Sequence, residues 1–293
     1  MIIVKLAGGM ANQMFPYALG RHLAYKLNTD LKLDISGFQA YENRSDIAFR
    51  RYAINVFNIV ETFASPEEVK ALTVRGKNLF ERLFLKKASR PKSYIKEQQR
   101  HFDPSILGLK GDLYLEGNWN SPKYFDDIDP IIRSDFTFRQ PPSETNLKLI
   151  DRILSLNAVS IHVRRGDYVW NAKVNSYHGL CSLEYYQRSA KYIADHVELP
   201  HFFIFSDDPA WVHENLHLNW PTTIVDHNSP LQEHEDMRLM SLCHHNIIAN
   251  SGFSWWAAWL NQHPDKMVIA PERWVATPKH DVSSLLPQDW IRL

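Results

Sequence analysis

The chain contains two adjacent arginines, Arg164 and Arg165, within the sequence HVRRGDY at residues 162–168. They follow a short apolar run, 158–163, which is typical of a buried strand. Ligands of open α/β sheets bind at the carboxyl ends of strands, and the planar fork of arginine matches phosphate. These residues therefore favour a phosphorylated ligand at this strand end. An ordinary Arg–Asp pair on the surface would give the same pattern.

Polar residues also follow three later apolar runs, at the points where those runs end. The groups are 206–208 (SDD), 226–228 (DHN) and 250–254 (NSGFS). The carboxyl ends of parallel strands meet at one edge of a sheet, which is where ligands bind. If these strands are parallel, the three groups and 164–167 line a common edge.

The serines at 251 and 254 precede an aromatic, helix-like run. Serine is a favoured N-cap residue, and we expect the helix to begin at Ser254. Its free backbone N–H groups and the positive end of its dipole would then face the loop, where a phosphate fits. The alternative is a plain capped helix whose tryptophans belong to the core.

Asp207 and Asp208 invite a metal interpretation, because many sugar-nucleotide enzymes hold a divalent ion with Asp-x-Asp at a strand end. The spacing here is Asp-Asp, followed by Pro209, and an aspartate in this position more commonly caps a helix. Asp127 and Asp129 have the Asp-x-Asp spacing but follow no buried strand. We therefore predict no metal site.

The first 35 residues predict a β-α-β unit. Strands at 2–6 and 31–35 flank a Gly8-Gly9 turn and a helical pattern. Pro16 is expected in the first turn of this helix, because proline lacks the N–H that an interior position needs. The dinucleotide-binding pattern Gly-x-Gly-x-x-Gly is missing from the sequence.

Strand-like and helix-like patterns alternate in the second half. The predicted strands are Ala158–Val163, Phe202–Phe205, Thr222–Val225, Asn246–Ala249 and Met267–Ala270, and the predicted helices are Ser182–His196, Pro209–Leu216, Glu233–His244 and Ser254–Gln262. Such alternation indicates parallel strands joined by right-handed crossovers. We predict an α/β protein with two Rossmann-like domains, 1–143 and 144–293, that face each other across a cleft. The proline-containing segment 139–145 would link them.

Composition narrows the class of protein. The 293 residues are 44% hydrophobic and carry a formal net charge of +0, which argues against a nucleic-acid partner bound through bulk charge. Two cysteines without a CxxC motif fit a reducing compartment. The sequence shows neither a signal peptide nor an apolar stretch of membrane-spanning length, so we expect a soluble, cytoplasmic protein.

Residues 74–100 are strongly basic, with nine Lys or Arg and two Glu. One interpretation is a solvated helix beside a basic loop. The other is a surface for anionic lipid headgroups or for an acceptor linked through pyrophosphate. In that case Lys86, Lys87, Arg90 and Lys92 would provide a peripheral membrane contact at the inner membrane face.

The chain resembles glycosyltransferase family 11, the α-1,2-fucosyltransferases, from Met1 to about residue 275. Four stretches carry the resemblance: GGMANQMFPY at 8–17, HVRRGDY at 162–168, FSDDP at 205–209, and Asp236 with IANSGFSWWAAWL at 248–260. The first and last of these are long and specific.

The resemblance implies a GT-B-like architecture with an acceptor-side domain at 1–143 and a donor domain at 144–293. The implied donor is GDP-β-L-fucose, and transfer would invert the anomeric carbon without a metal or other cofactor. The implied acceptor is the 2-hydroxyl of a terminal galactose in a surface glycan such as O-antigen, which a bacterial enzyme would meet on a lipid carrier.

The resemblance also implies roles for individual residues. Likeness to the α-1,6- and protein O-fucosyltransferases would place Arg164 on the β-phosphate, with Asn12 beside the fucose and phosphates; these two are the implied catalytic residues. The other implied donor-binding residues are His162 and Asp236 on guanine, with Ser251, Phe253 and Ser254 at the phosphate.

The general base is not identified by this comparison. His178, Asp34 and Glu42 are candidates by residue type alone. A glutamate that the α-1,6 enzymes carry downstream of the arginine motif is replaced here by Ala172. A late proton transfer to the leaving phosphate is the alternative.

Two other functions remain open at this point. One is an inactive module that binds GDP or a glycan, against which the intact Arg164, Asp236 and Asn12 argue. The other is a transferase that uses a different nucleotide sugar.

Overall fold

The computed structural model describes residues 1–41, 50–74, 91–276 and 283–293. The chain forms two compact units that divide between Arg139 and Gln140. The short segment 283–285 also belongs to the first unit, and residues 286–293 belong to the second. Each unit is built on its own parallel sheet.

The first unit contains a four-stranded sheet. Its strands are β1 (Ile2–Lys5), β2 (Leu31–Asp34), β3 (Tyr94–Lys96) and β4 (Leu113–Glu116). They lie in the order β2-β1-β4-β3, and every pairing is parallel. β1 and β4 are therefore the central strands, and both are almost completely buried.

Three α-helices are described in this unit: α1 (Met10–Leu27), α2 (Pro66–Thr73) and α3 (Asp129–Asp135). Short 3-10 turns lie at Ser36–Tyr41, Ile54–Val56, Pro104–Gly108, Pro122–Tyr124 and Asp126–Ile128. A capping box formed by Ser65 and Glu68 starts α2.

The expected position of Pro16 in a first turn is wrong. The helix begins at Met10, so Pro16 lies inside it and removes an interior backbone hydrogen bond. Most residues of α1 are buried, including Pro16 itself. Burial of this helix against the sheet outweighs the local cost of the proline.

The second unit contains a six-stranded parallel sheet. Its strands are β5 (Asn157–Val163), β6 (Pro200–Ser206), β7 (Thr222–Val225), β8 (His245–Ile247), β9 (Val268–Ala270) and β10 (Ile291–Arg292). The order is β10-β9-β8-β5-β6-β7. Counted from β5, this is the 3-2-1-4-5-6 order of the Rossmann fold.

The described helices of this unit are α4 (Glu144–Leu154), α5 (Gly166–Trp170), α6 (Ala172–His178), α7 (Leu183–Ala194), α8 (Pro209–Asn215), α9 (Glu233–Leu242) and α10 (Gly252–Leu260). Side chains cap α4, α6, α7, α8 and α10, from Ser143, Asn171, Ser182, Asp208 and Ser251. These local capping signals fix where the crossover helices begin.

The predicted α/β class with parallel strands is confirmed, and two parallel-sheet units are the construction of GT-B-like enzymes. All five predicted strands of the second half exist, with ends shifted by up to two residues. The short helices α5 and α6 were not predicted. No helix in the described part of the chain is both long and apolar enough to cross a membrane.

The contact between α1 and the first sheet leaves no room at Gly20. A methyl group there would lie 2.3 Å from Val4 Cγ1 and 2.9 Å from Leu31 Cδ1. We expect Gly20→Ala to lower the free energy of unfolding by about 1–3 kcal/mol through overpacking. This net loss already includes the gain of about 1 kcal/mol in helix propensity.

Urea unfolding measures this difference, and Gly108→Ala is the matched control. A methyl group at Gly108 meets no atom within 4 Å, so its effect should stay within about 0.5 kcal/mol. A Gly20→Ala protein as stable as the wild type would contradict the close packing of α1 on β1.

Candidate functional site

The strand order of the second sheet reverses between β5 and β8, so the chain leaves these neighbours in opposite directions. Ligands of open α/β sheets bind at such a switch point, outside the carboxyl ends of the strands. Two loops lie there: the arginine loop (164–167) after β5 and the serine loop (250–254) after β8. His162 Nδ1 lies 2.9 Å from Ser254 Oγ and joins the two.

The helix start in the serine loop differs from the prediction. α10 begins at Gly252, and Ser251 is its N-cap, since its hydroxyl accepts a bond from Phe253 N at 3.3 Å. Ser254 lies inside the first turn, where its hydroxyl is buried against the Ala249 and Ser251 carbonyls. Both serines suit a cap. The bond from Trp255 N to Ser251 O, 3.1 Å long, closes the first turn two residues earlier than expected.

His162 is enclosed at the end of β5, with the Phe253 ring 5.4 Å from its own. Burial and the neighbouring Arg164 charge lower the pKa of His162 to about 3. The imidazole is therefore neutral at neutral pH. It can exchange hydrogen bonds with a polar ligand but adds no positive charge to the site.

Arg164 is held between two carboxylates. Its Nη1 lies 2.6 Å from Asp207 Oδ2, its Nη2 bonds Asp167, and the guanidinium lies 5.2 Å from the centre of the Tyr168 ring. A guanidinium has five N–H groups in one plane. Two carboxylates fix that plane and leave donors for a further anion.

Arg165 has a different role from its neighbour. Its Nε donates to Asp208 Oδ2 at 2.9 Å, and its guanidinium stacks 3.9 Å from the centre of the Trp211 ring. Its backbone N–H donates to Asp207 Oδ1 at 2.8 Å. Arg165 therefore ties the arginine loop to α8 and supports the position of Arg164.

Asp207 leaves no room for a side chain at Gly166, the residue that follows the two arginines. The φ of Gly166 is +20°, and a Cβ there would lie 2.3 Å from Asp207 Oδ2. A side chain would push away the carboxylate that holds Arg164. The arginine loop is therefore shaped around Asp207.

Both aspartates of the metal interpretation are occupied. Asp207 binds Arg164 and the Arg165 backbone, and Asp208 binds Arg165 and caps α8 through Trp211 N at 3.2 Å. Asp129 is paired with Arg133 at 2.6 Å. Among the described residues, no group of three or more His, Cys, Asp or Glu is arranged to hold a metal ion.

The sequence also contains the spacing of a zinc-binding motif, His213-Glu214-Asn215-Leu216-His217. The structure shows whether its two histidines could bind one metal ion. A zinc site of the H-E-x-x-H type needs both histidines on one helix face. α8 ends at Asn215, before His217. His213 Nε2 lies 3.3 Å from Asp226 Oδ2, and His217 Nε2 lies 3.2 Å from Glu214 O. The two imidazoles do not form that face.

Asp236 lies on α9 within a polar cluster that the sequence did not reveal. Asn228 Nδ2 donates to Asp236 Oδ1 at 2.8 Å, and Asn146 bonds both Asn228 and Glu235. Burial raises the pKa of Asp236 to about 7, with the nearby Glu235 and Glu233 charges adding to the effect. Asn228 was visible as a strand-end residue, whereas nothing in the sequence pointed to Asn146.

The predicted donor residues thus fall into three places. His162, Arg164, Ser251, Phe253 and Ser254 gather at the switch point. Asp236 lies in the α9 cluster and has no direct contact with them among the contacts of the described residues. Asn12 belongs to the first unit.

Asn12 lies exposed in the first turn of α1, beside the Gly8-Gly9 turn. Gly8 has a φ of +75°, and a Cβ there would lie 2.7 Å from Asn12 Nδ2. Gln13, fully buried, bonds Gly8 O at 3.0 Å and Arg51 O at 2.8 Å. Gln13 therefore holds the turn that presents Asn12.

The candidates for a general base are not equivalent. Asp34 accepts bonds from Tyr114 Oη at 2.6 Å and Ser36 N at 2.9 Å, which gives its carboxylate a structural role. His178 stacks on Tyr168 with ring centres 4.6 Å apart. Glu42 lies outside the described residues. The geometry selects none of the three as the base.

The basic segment is described only in part. Lys92 is exposed, whereas Lys86, Lys87 and Arg90 lie outside the described residues. The predicted membrane contact stays a prediction.

The fold and the site define a class: an α/β enzyme whose Rossmann-like unit places an arginine, a neutral histidine and a helix start at its switch point. The chain belongs to glycosyl transferase family 11, whose family model matches residues 50–293. It is therefore a glycosyltransferase, and the resemblance found in its motifs is confirmed.

The chain is similar in sequence to several known proteins. An alpha-1,2-colitosyltransferase of Escherichia coli is 33% identical and aligns with 100% of this chain and 98% of its own. The O-antigen biosynthesis glycosyltransferase WbnK of Escherichia coli is 33% identical over 98% of this chain and 99% of its own. The galactoside 2-alpha-L-fucosyltransferase SEC1 of Bos taurus is 27% identical over 57% of this chain and 45% of its own.

Proposed function

We propose that this protein is a galactoside α-1,2-L-fucosyltransferase. It transfers L-fucose from GDP-β-L-fucose, with inversion, to the 2-hydroxyl of a terminal β-galactose in a bacterial surface glycan. The observation that carries the proposal is the meeting of Arg164, His162 and the α10 start at the switch point. The name of the bovine relative supports the linkage, and that of WbnK supports an O-antigen product.

The switch point suits the leaving group of this reaction. Glycosyl transfer passes through an oxocarbenium-like state while negative charge grows on the departing GDP. A transferase that works without a metal has to meet this charge with side chains and helix ends. Arg164 and the N-terminus of α10 provide both, and the aspartates that would otherwise bind a cation are held by arginines.

The α9 cluster suits guanine. An ionised carboxylate can accept hydrogen bonds from N1–H and from the exocyclic amine of guanine together, which adenine and uracil do not offer. Asn228 orients the Asp236 carboxylate for this purpose. His162, neutral at the end of β5, adds a polar contact to the same nucleotide.

A second donor is favoured by a specific observation, the 33% identity to a colitosyltransferase over the whole chain. Colitose differs from L-fucose by the loss of the 3-hydroxyl. A site that hydrogen-bonds this hydroxyl rejects the deoxy sugar, whereas an apolar site discriminates weakly. The two donors are therefore alternatives within one proposed chemistry.

The test is transfer from GDP-fucose and GDP-colitose to a panel of β-galactosides in the presence of EDTA, followed by linkage analysis of the product. We expect α-1,2-linked fucose and full activity in EDTA. Preference for GDP-colitose would replace the donor. Loss of activity in EDTA that manganese or magnesium restores would contradict the metal-free mechanism, and no transfer at all would favour a binding module.

The two adjacent arginines provide a matched pair of variants. We expect Arg164→Lys to lose about 100-fold or more in turnover, because lysine keeps the charge but not the planar fork. Arg165→Lys should instead lower the free energy of unfolding by about 1–2 kcal/mol through its lost bond and ring contact. It should retain most of its turnover at low temperature.

Turnover and urea unfolding of both variants measure this difference. Near-normal turnover of Arg164→Lys would remove its assigned role in phosphate binding. Equal loss of turnover in both variants would mean that the arginine loop acts as one unit.

The raised pKa of Asp236 predicts a pH-dependent donor affinity. Guanine needs the ionised carboxylate, so GDP-fucose should bind more weakly as the pH falls below about 7. The loss is at most about tenfold per pH unit for one proton. His162 stays neutral over this range, because its pKa is about 3.

Calorimetry with GDP-fucose from pH 5.5 to 8.5, without acceptor, measures this effect, because the donor itself has no group that titrates there. Asp236→Asn should bind weakly at every pH and lose the slope. His227→Gln is the control, since His227 bonds Asn146 in the same cluster. If the slope persists in Asp236→Asn, another group is responsible.

A further inference from the structure

The first sheet has an arrangement of its own that the donor site does not use. β1 and β4 are adjacent central strands, and the chain leaves them toward different elements. The loop after β1 carries Gly8 and Asn12. The loop after β4 is Gly117-Asn118-Trp119-Asn120, here called the tryptophan loop. By the rule for parallel sheets, a ligand of this unit would meet both loops.

The tryptophan loop has a constrained backbone. Trp119 has a φ of +53°, in the left-handed region that large side chains rarely adopt. Gly117 has no room for a Cβ, which would lie 2.4 Å from Glu97 Cβ and 2.9 Å from Trp119 Cε2. Backbone strain of this kind persists where the surrounding structure enforces it, and it concentrates at ligand sites.

Glu97 enforces this conformation. It follows β3, and its carboxylate accepts a bond from Asn118 N at 2.7 Å and another from Trp119 N at 3.1 Å. The two successive N–H groups form a concave site that binds an anion. Because both oxygens hold the backbone, Glu97 fixes the loop and does not itself receive the ligand.

Two polar atoms of the loop have no partner. Within the described residues, Trp119 Nε1 and Asn120 Oδ1 are buried and form no hydrogen bond. One is a donor and the other an acceptor, and leaving such groups unsatisfied costs free energy. Asn120 is partly exposed, so a ligand hydroxyl, which both donates and accepts, can pair with its amide. Trp119 is 1% exposed, so its indole N–H is not open to a ligand in this conformation. The side chains of the loop carry no charge.

We propose that the tryptophan loop is a subsite for the acceptor sugar, a neutral hexose bound through its hydroxyls, and that Glu97 is its positioning residue. This inference rests on the proposed transferase function and names where the acceptor binds. The Asn118 and Asn120 amides make the direct contacts.

The test uses the full-length protein with Asn120→Ala, which removes a polar side chain and keeps the loop backbone. Gln98→Ala is the matched control, because Gln98 is exposed one residue beyond Glu97. We expect Asn120→Ala to raise the acceptor KM about tenfold, the cost of one lost polar contact. The donor KM should stay within about twofold of the wild-type value, and Gln98→Ala should change neither.

Glu97→Gln tests the positioning role. The glutamine amide can accept only one of the two backbone bonds, so the acceptor KM should rise while kcat and the donor KM change less. Thermal unfolding accompanies each variant. An unchanged acceptor KM in Asn120→Ala overturns the subsite. Parallel loss of donor and acceptor binding in Glu97→Gln together with a lower Tm overturns the positioning role.

Saturation-transfer NMR in the presence of GDP measures the binding of lactose and other β-galactosides. This measurement separates the inference from the proposed function. If the wild type transfers fucose and Asn120→Ala binds lactose equally well, only the subsite is wrong. If the wild type transfers no sugar, the proposed function is wrong. The difference in lactose binding between the wild type and Asn120→Ala then still decides the subsite.

Discussion

A cation that is mostly removed from water has to be paired, and this requirement organises the second unit. The Arg164 side chain is 24% exposed and lies between Asp167 and Asp207. Removing both partners would leave a charge without compensation in a poorly solvated place, and removing either one would leave one side of the guanidinium unpaired. Asp207 therefore has a fixed position, Gly166 is the residue that leaves space for it, and Arg165 anchors the loop from the other side. The sequence of the arginine loop therefore follows from the need to pair the Arg164 charge.

Three strand-end loops of this protein share one construction. In each, a side chain from elsewhere accepts or donates backbone hydrogen bonds and fixes a turn that contains glycine. Asp207 does this for the arginine loop, Gln13 for the turn at Gly8, and Glu97 for the tryptophan loop. Each glycine lies where a Cβ would collide with a side chain of its site. Rigid support of this kind is what places loop residues accurately enough to bind a ligand.

The sequence predicted those features that depend on local pattern. β5 and β6 were predictable because their apolar runs end at polar loops, and the parallel order brings those loops together. The start of α10 was misplaced, because two serines compete for one cap and the choice depends on which carbonyl closes the first turn. Asn146 was missed because its partners, Asn228 and Glu235, lie 82 and 89 residues away. Contacts between residues so far apart leave no pattern in the local sequence.

The chemical character of the two candidate ligand sites differs in a way that fits the proposed reaction. The switch point of the second unit combines a guanidinium with a helix start, and its histidine is kept neutral by burial and by that guanidinium. Such a site favours a diphosphate. The tryptophan loop offers the Asn118 and Asn120 amides, which carry no charge. Such a site favours hydroxyls, whose hydrogen bonds discriminate strongly when the partners are buried. Under the proposed function, separate sites for the charged leaving group and the neutral sugar would let the binding of one change without altering the binding of the other.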